Sequence, residues 1–61
     1  MRETVFLVFY RYEDNDEEDV EVFRSEDGAY DFKRYLETTQ NFEYAVVKEK
    51  EIFGNLYDYM L

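Results

Sequence analysis

Hydrophobic and polar positions divide the chain into three strand-like segments and one helical segment. Residues 4–12 are β-branched or aromatic on both alternation faces, which predicts a central strand with a neighbour on each side. Residues 13–19 carry no apolar side chain, and their Asp and Asn residues favour turns, so they predict a hairpin loop. Residues 20–23 alternate valine with glutamate, which predicts a short second strand.

A helix is predicted over residues 25–38. Ser25 is a good N-cap, and Glu26 and Asp27 fall in the first turn, where the helix dipole favours negative charge. Gly28 either weakens this turn by roughly 1 kcal/mol relative to Ala or permits a close approach to the sheet. Apolar positions recur three and four residues apart and mark the buried face: Ala29, Phe32, Tyr35 and Leu36.

The last part of the chain predicts a third strand and a segment with two readings. Residues 42–47 have a strand pattern that continues through the alternating charges of residues 48–51. Residues 52–61 contain the turn-forming pair Gly54 and Asn55, and we expect either a short helical turn or a last edge strand.

The element order predicts the topology. A hairpin followed by a right-handed crossover places the first strand in the middle, giving sheet order 2-1-3. We therefore predict one α+β domain over residues 1–61. It has β-β-α-β order, a three-stranded antiparallel sheet, one helix packed on one face, and a short C-terminal segment.

One face of this predicted sheet has no helix to cover it. We expect the helix to pack on Val5, Leu7 and Phe9. The other face then carries an apolar set: Phe6, Val8, Tyr10, Tyr12, Phe42, Tyr44 and Val46. A patch of that size is uncommon on a soluble monomer and marks an interface. Either the C-terminal segment folds over it, or a second copy of the chain packs there.

Composition limits the chemistry. The chain has no cysteine and no histidine, which excludes disulfides, thiolate or imidazole metal sites, thiol nucleophiles and imidazole bases. A chain this short buries only about 60% of its unfolded surface, so its stability is marginal despite the abundant aromatic residues. The longest apolar run, residues 5–10, is too short to span a bilayer. We expect a soluble cytoplasmic protein with no membrane contact.

The charge is concentrated in one stretch. Residues 13–31 hold ten of the sixteen acids and one of the seven basic residues, a local net charge of -9, while the other 42 residues sum to zero. Such a stretch repels nucleic acid and anionic membranes and attracts basic surfaces.

Three functions are disfavoured. Asp14, Asp16 and Glu18 alternate like the first ligands of a calcium loop, but Asp19 replaces its glycine and Ser25 its closing glutamate, so we predict no metal site. Carboxylate catalysis needs a water-excluding cleft, for which a single-layer fold has little room, so we predict no enzyme and no cofactor. Stacking of bases on sheet aromatics needs a basic rim, so we predict no direct nucleic-acid contact.

Protein binding remains. If the second strand lies at a sheet edge, the acids line one side of the molecule over roughly 15 to 20 Å and imitate a phosphate backbone. In the simpler interpretation the loop acids solubilise, the first-turn acids stabilise the helix, and Glu21 protects an edge strand from aggregation. That interpretation explains each acid separately. It does not explain why nearly every compensating base is missing from the same stretch.

Five features of the layout are shared with a known group of proteins. They are an apolar strand (5–12), an acidic turn (13–19), an aromatic-bearing second strand (20–23), a helix with aromatic Phe32 and Tyr35, and a final strand (42–47). This layout resembles small acidic phage proteins that disable host nucleic-acid enzymes, above all the short uracil-DNA glycosylase inhibitors of Bacillus phages. The resemblance implies a dimer that mimics DNA and holds an apolar side chain of the enzyme between its subunits. Residues 52–61 depart from that layout. Anti-CRISPR proteins are similar in size and charge.

These observations predict an inhibitor that presents an acidic edge to a basic nucleic-acid-binding host protein. The acids expected to steer binding are Glu13, Asp14, Asp16, Glu17, Glu18, Asp19, Glu21, Glu26, Asp27 and Asp31. Tyr10, Tyr12 or Tyr30 are the expected anchors. The alternative is a homodimeric structural or regulatory protein that uses its open aromatic sheet face, with the acids serving only solubility.

Overall fold

The computed structural model describes residues 2–53 and has the predicted α+β architecture. Strand β1 spans Arg2–Tyr12, strand β2 spans Asp19–Phe23, helix α1 spans Glu26–Glu37 and strand β3 spans Phe42–Phe53. Both outer strands run antiparallel to β1, in the order β2-β1-β3, which confirms the predicted sheet. The segment 52–61 was predicted as a helical turn or an edge strand; its first two residues, Ile52 and Phe53, continue β3, and the rest lies outside the described residues.

Helix α1 begins and ends where its sequence predicts. The Ser25 hydroxyl accepts a hydrogen bond from the backbone N–H of Gly28 at 3.0 Å. At the other end the N–H and hydroxyl of Thr38 both donate to the carbonyl of Tyr35, at 3.1 and 2.7 Å. A Cβ at Gly28 would lie 2.9 Å from the Ser25 Oγ and 3.5 Å from the Phe23 ring. Glycine therefore lets the cap and the sheet approach this turn closely.

The core is small and lies between α1 and one side of β1. Val8, Ala29 and Leu36 are buried and in mutual contact, and Val8 and Leu36 are the largest fully buried side chains of the described residues. Partly buried side chains surround them: Phe6, Tyr10, Tyr12, Phe23, Phe32, Phe42, Ala45 and Val47. A core of this size stabilises a domain by only a few kcal/mol.

The predicted orientation of β1 is wrong. The side chains of β1 that pack toward α1 are Phe6, Val8, Tyr10 and Tyr12. They were predicted to lie on the uncovered face. Because side chains alternate along a strand, the other set of β1 faces away from the helix, including Leu7 and Phe9. Both alternation sets of β1 are apolar, so the pattern of this strand alone does not distinguish them.

Two further residues depart from the prediction. Val5 is buried, at 6% exposure, but lies outside the cluster around Val8. Phe42 was expected on the uncovered face and instead packs with the core. The register shifts between Arg11 and Tyr12, which pair with Tyr44 and Phe42, so Glu43 is an extra residue. Such a bulge turns the strand locally and redirects the side chain that precedes it.

The sheet surface opposite α1 is named the open face. Cross-strand register places these residues on it: Val5, Leu7, Phe9, Arg11, Val20, Val22, Tyr44, Val46, Lys48 and Lys50. Tyr44 and Val46 lie there as predicted. Helix α1, the one helix of residues 2–53, is too short and polar to cross a membrane.

Candidate partner-binding surface

The acidic loop, residues 13–18, is a turn with an ordered backbone. The N–H of Asn15 donates to the carbonyl of Tyr12 at 3.1 Å, and its side-chain oxygen accepts from the N–H of Glu17 at 3.1 Å. The N–H of Glu13 donates to the carbonyl of Asn41 at 2.6 Å, which ties the loop to the α1–β3 connection. Asn41 has a φ of 64°, a conformation that asparagine tolerates. All the loop side chains are exposed, so their carboxylates remain in water.

Arg11 is the cation beside this loop. Its Nε donates to the carbonyl of Asn15 at 2.8 Å and lies 3.4 Å from the carboxylate of Glu43. One of its terminal nitrogens is 4.0 Å from Asp16, whose side chain is fully exposed. Exposed ion pairs contribute at most about 1 kcal/mol. Arg11 therefore orders the loop backbone more than it neutralises the loop.

Tyr44 connects the loop to the open face. Its hydroxyl donates to the carboxylate of Glu18 at 2.6 Å, across 26 positions of sequence. This hydrogen bond raises the pKa of Tyr44 above its ordinary value, because ionisation would remove the donated proton; desolvation adds to the shift. The bond draws the last acid of the loop toward the open face. Nothing in the local sequence around either residue predicts it.

Other acids lie on β2 and beyond it. Asp19 and Glu21 alternate with two valines and point to the α1 side of the sheet, since their β1 partners Tyr10 and Val8 do. Glu26 and Asp27 occupy the first turn of α1. Because β2 joins the loop to the helix, the loop acids lie at one end of this strand and the first-turn acids at the other.

Asp31 continues this series one turn further along α1. We name the ten acids the acidic edge: Glu13, Asp14, Asp16, Glu17, Glu18, Asp19, Glu21, Glu26, Asp27 and Asp31. Along the chain these acids run through the loop, the outer strand β2 and the first turns of α1, and Glu18 among them turns toward Tyr44 of β3.

Within residues 3–52, cations lie close to two acids of the acidic edge. Asp31 is 3.5 Å from Arg34, and Asp16 has its long contact with Arg11. Arg24, the one base in residues 13–31, instead has its Nε 3.7 Å from Glu3, outside the stretch. Eight of the ten edge acids thus form no ion pair with a base of residues 3–52, the part of the chain whose side chains the structure describes. The negative charge of these acids is therefore largely uncompensated within those residues.

The three predicted anchor tyrosines lie in two environments. Tyr10 and Tyr12 pack toward α1 with ring centroids 6.0 Å apart, and Tyr10 meets Phe32 edge to face at 5.4 Å. Burial raises the pKa of Tyr10, and the nearby carboxylates of β2 add to the effect. Tyr30 is 47% exposed on α1 and is the one of the three that protrudes. Their use as anchors stays a prediction.

The open face carries an apolar surface beside the acidic edge. Val20, Val22 and Val46 are 49%, 59% and 44% exposed. Val46 and Phe9, together with Lys48 and Glu18, line a shallow cavity of about 180 Å³. The Lys48 ammonium lies 5.7 Å from the centre of the Phe9 ring, within cation–π range.

Sequence reasoning did not assign a binding role to these valines. The signal was present in residues 19–22, where acids on one face alternate with valines on the other. The two faces of β2 therefore differ in chemistry, one being acidic and the other apolar.

Within residues 2–53, no group of three or more acids is placed to hold a metal ion. A functional assignment therefore rests on the acidic edge and the open face. The chain matches no protein-family model, no curated protein and no solved structure.

Proposed function

We propose that this protein is an inhibitor of the phage counter-defence type that occupies the nucleic-acid-binding groove of a basic host protein. The observation that carries the proposal is the acidic edge, of which eight acids form no ion pair within the described residues. A cationic groove would pair with these carboxylates, and the long-range field would steer the two proteins together.

The dimensions of the acidic edge support this role. A strand advances about 3.3 Å per residue, so β2 with its flanking loop and helical turn extends on the order of 15 to 20 Å. Duplex DNA advances roughly 34 Å per turn, so the edge corresponds to about half a turn of phosphate backbone. The ordered loop backbone holds part of this charge in place before binding, which lowers the entropy cost of association.

The test compares two variants with the same net charge. The chain is first used to capture a basic protein from bacterial lysate, and the captured protein is purified. Its association rate is then measured against wild type and a loop variant with four amides: Glu13→Gln, Asp14→Asn, Asp16→Asn and Glu17→Gln. The control carries four amides outside the acidic edge: Glu37→Gln, Glu49→Gln, Glu51→Gln and Asp58→Asn. Both variants lack four of the sixteen acids, so their formal charge is -5 instead of -9.

We expect the loop variant to associate on the order of tenfold more slowly at low salt, with a flatter salt dependence, and the control to stay near wild type. A nucleic-acid oligonucleotide bound to the captured protein should compete with the wild-type chain. Equal slowing in both variants would mean that only net charge matters. An unchanged rate in the loop variant would rule out electrostatic mimicry.

A second candidate function is favoured by the open face. It carries the exposed side chains of Val20, Val22 and Val46. An apolar surface of this kind is often buried at the interface of a homodimer. In this case the protein is structural or regulatory and its acids serve solubility. Sedimentation over a range of protein concentrations tests this candidate, because a monomer at every concentration would reject it, whereas a dimer is consistent with both functions.

A further inference from the structure

The outer side of β2 is an open strand edge. Among the described residues β2 pairs with β1 alone. Its residues Asp19–Val22 are all exposed, so neither α1 nor another described segment covers them. In an antiparallel pair every second residue directs its backbone N–H and C=O away from the partner strand. β2 therefore presents unpaired donors and acceptors to an incoming strand.

The two faces of this edge have different chemistry. On the α1 side the edge carries Asp19 and Glu21, which are about 7 Å apart as alternate residues of a strand. On the open face it carries Val20 and Val22, which are 49% and 59% exposed. A strand added at this edge would place its own alternate side chains beside these two rows.

We propose that β2 binds an extended segment of the basic partner as a fourth strand of the sheet, and that this segment alternates lysine or arginine with β-branched residues. Its cations would lie beside Asp19 and Glu21, and its apolar side chains beside Val20 and Val22. This inference rests on the proposed function for the basic character of the partner. It adds the mode of binding, strand addition, and the sequence pattern that is recognised.

The other outer strand does not offer the same match. In β3 the exposed residues Lys48 and Lys50 lie on the open face, and Glu49 and Glu51 lie on the α1 side. An alternating cationic and apolar strand would place its apolar side chains beside the two lysines. Lysine side chains along an edge strand are also a common protection against strand addition.

A second copy of the chain does not fit the edge of β2 either. Two β2 strands paired with each other would bring Asp19 and Glu21 of one copy beside the same acids of the other. Like charges directly opposite one another destabilise a strand pair. The edge therefore selects a segment of opposite charge from a different protein.

The test uses the full chain labelled with ¹⁵N and a short synthetic peptide, blocked at both ends, in which lysine and valine alternate. We expect the amide signals of residues 19–23 to shift and every second β2 amide to exchange more slowly with solvent. A peptide of the same composition with its lysines and valines in two separate blocks should bind at least tenfold more weakly. So should an alternating peptide that is N-methylated at every second residue, because it cannot donate backbone hydrogen bonds on one edge.

Charge reversal on the protein gives a matched pair of variants. Asp19→Lys with Glu21→Lys should weaken the alternating peptide at least tenfold. Glu49→Lys with Glu51→Lys makes the same change in net charge on β3 and should weaken it less than threefold.

Three results would overturn strand addition: equal binding of the alternating and block peptides, equal binding of the N-methylated peptide, or shifts confined to residues 13–18. The proposed function is judged separately, by the association rate of the captured basic protein. If the loop variant associates slowly but no peptide binds at β2, the proposed function is supported and strand addition is rejected. If the peptide binds at β2 but the association rate does not depend on the loop acids, strand addition is supported and the proposed function is rejected.

Discussion

Val8→Ala tests where the core of this small domain lies. Val8 is fully buried against α1, in contact with Ala29 and Leu36. The substitution removes two methyl-sized groups, worth about 1.6 kcal/mol of transfer free energy at roughly 0.8 kcal/mol each. A residual cavity adds to this loss, giving a total of about 2 to 3 kcal/mol. A domain of this size has a total stability of about 3 to 5 kcal/mol, so the variant loses between about 40% and all of it.

Val22→Ala is the matched control, because it makes the same chemical change on the opposite face of the sheet. Val22 is 59% exposed, and we expect a cost below about 0.5 kcal/mol. Urea unfolding followed by circular dichroism measures both, with an unchanged denaturant slope as evidence that the unfolding transition is comparable. In thermal unfolding each kcal/mol corresponds to about 4 to 8 °C. If Val22→Ala costs as much as Val8→Ala, the helix does not pack on the Val8 side.

Three further substitutions have defined outcomes. Ser25→Ala removes the N-cap and should lower the free energy of unfolding by about 1 kcal/mol, measured by urea titration; no change would show that the cap hydroxyl is dispensable. Leu36→Ala should cost about 2 to 5 kcal/mol and leave much of the chain unfolded at 25 °C, which helical ellipticity reports; a fully folded variant contradicts the assigned core. Tyr44→Phe concerns pH: the folded-state pKa of Tyr44 is raised, so its contribution is complete below the ordinary tyrosine pKa of about 10 and is lost as pH rises through the folded value. The variant should therefore show a shallower loss of stability above about pH 10, and an identical pH profile would show that the Glu18 contact does not persist in solution.

The elements of this fold could be predicted because their signals are local. Ser25 lies before two acids and a run of apolar positions at helical spacing, and the helix follows it at Glu26. The acid-rich turn separates two segments of strand composition, which fixes the hairpin. Once the hairpin and the single crossover are established, the order of the three strands follows from the handedness of such connections.

The orientation of β1 could not be predicted from β1 itself. Its two alternation sets both contain phenylalanine and aliphatic residues, so burial on either face satisfies the pattern. The charged end of β3 does not decide it either. In its pairing with β1, Lys48 and Lys50 lie on the open face while Glu49 and Glu51 lie on the α1 side. The bulge at Glu43, which turns Phe42 inward, depends on the same long-range pairing.

Some features of the candidate site could likewise be predicted from local sequence, and others depend on the folded sheet. The acids of residues 13–31 are a local property of the sequence, and the position of Asp19 and Glu21 on an outer strand follows from the predicted topology. The contact between Tyr44 and Glu18 joins residues that are 26 positions apart, and it requires the folded sheet. The packing of Tyr10 and Tyr12 under α1 likewise depends on which face of β1 is buried. Their surroundings therefore could not be predicted from the sequence.

We propose that the acidic edge attracts a basic partner through the position of its charges. The most direct test is the association rate constant of the captured protein at several salt concentrations, measured for wild type, the four-amide loop variant and the four-amide control. We expect a steep salt dependence for wild type and the control, and a shallow one for the loop variant. Three superimposable salt profiles would contradict the proposal.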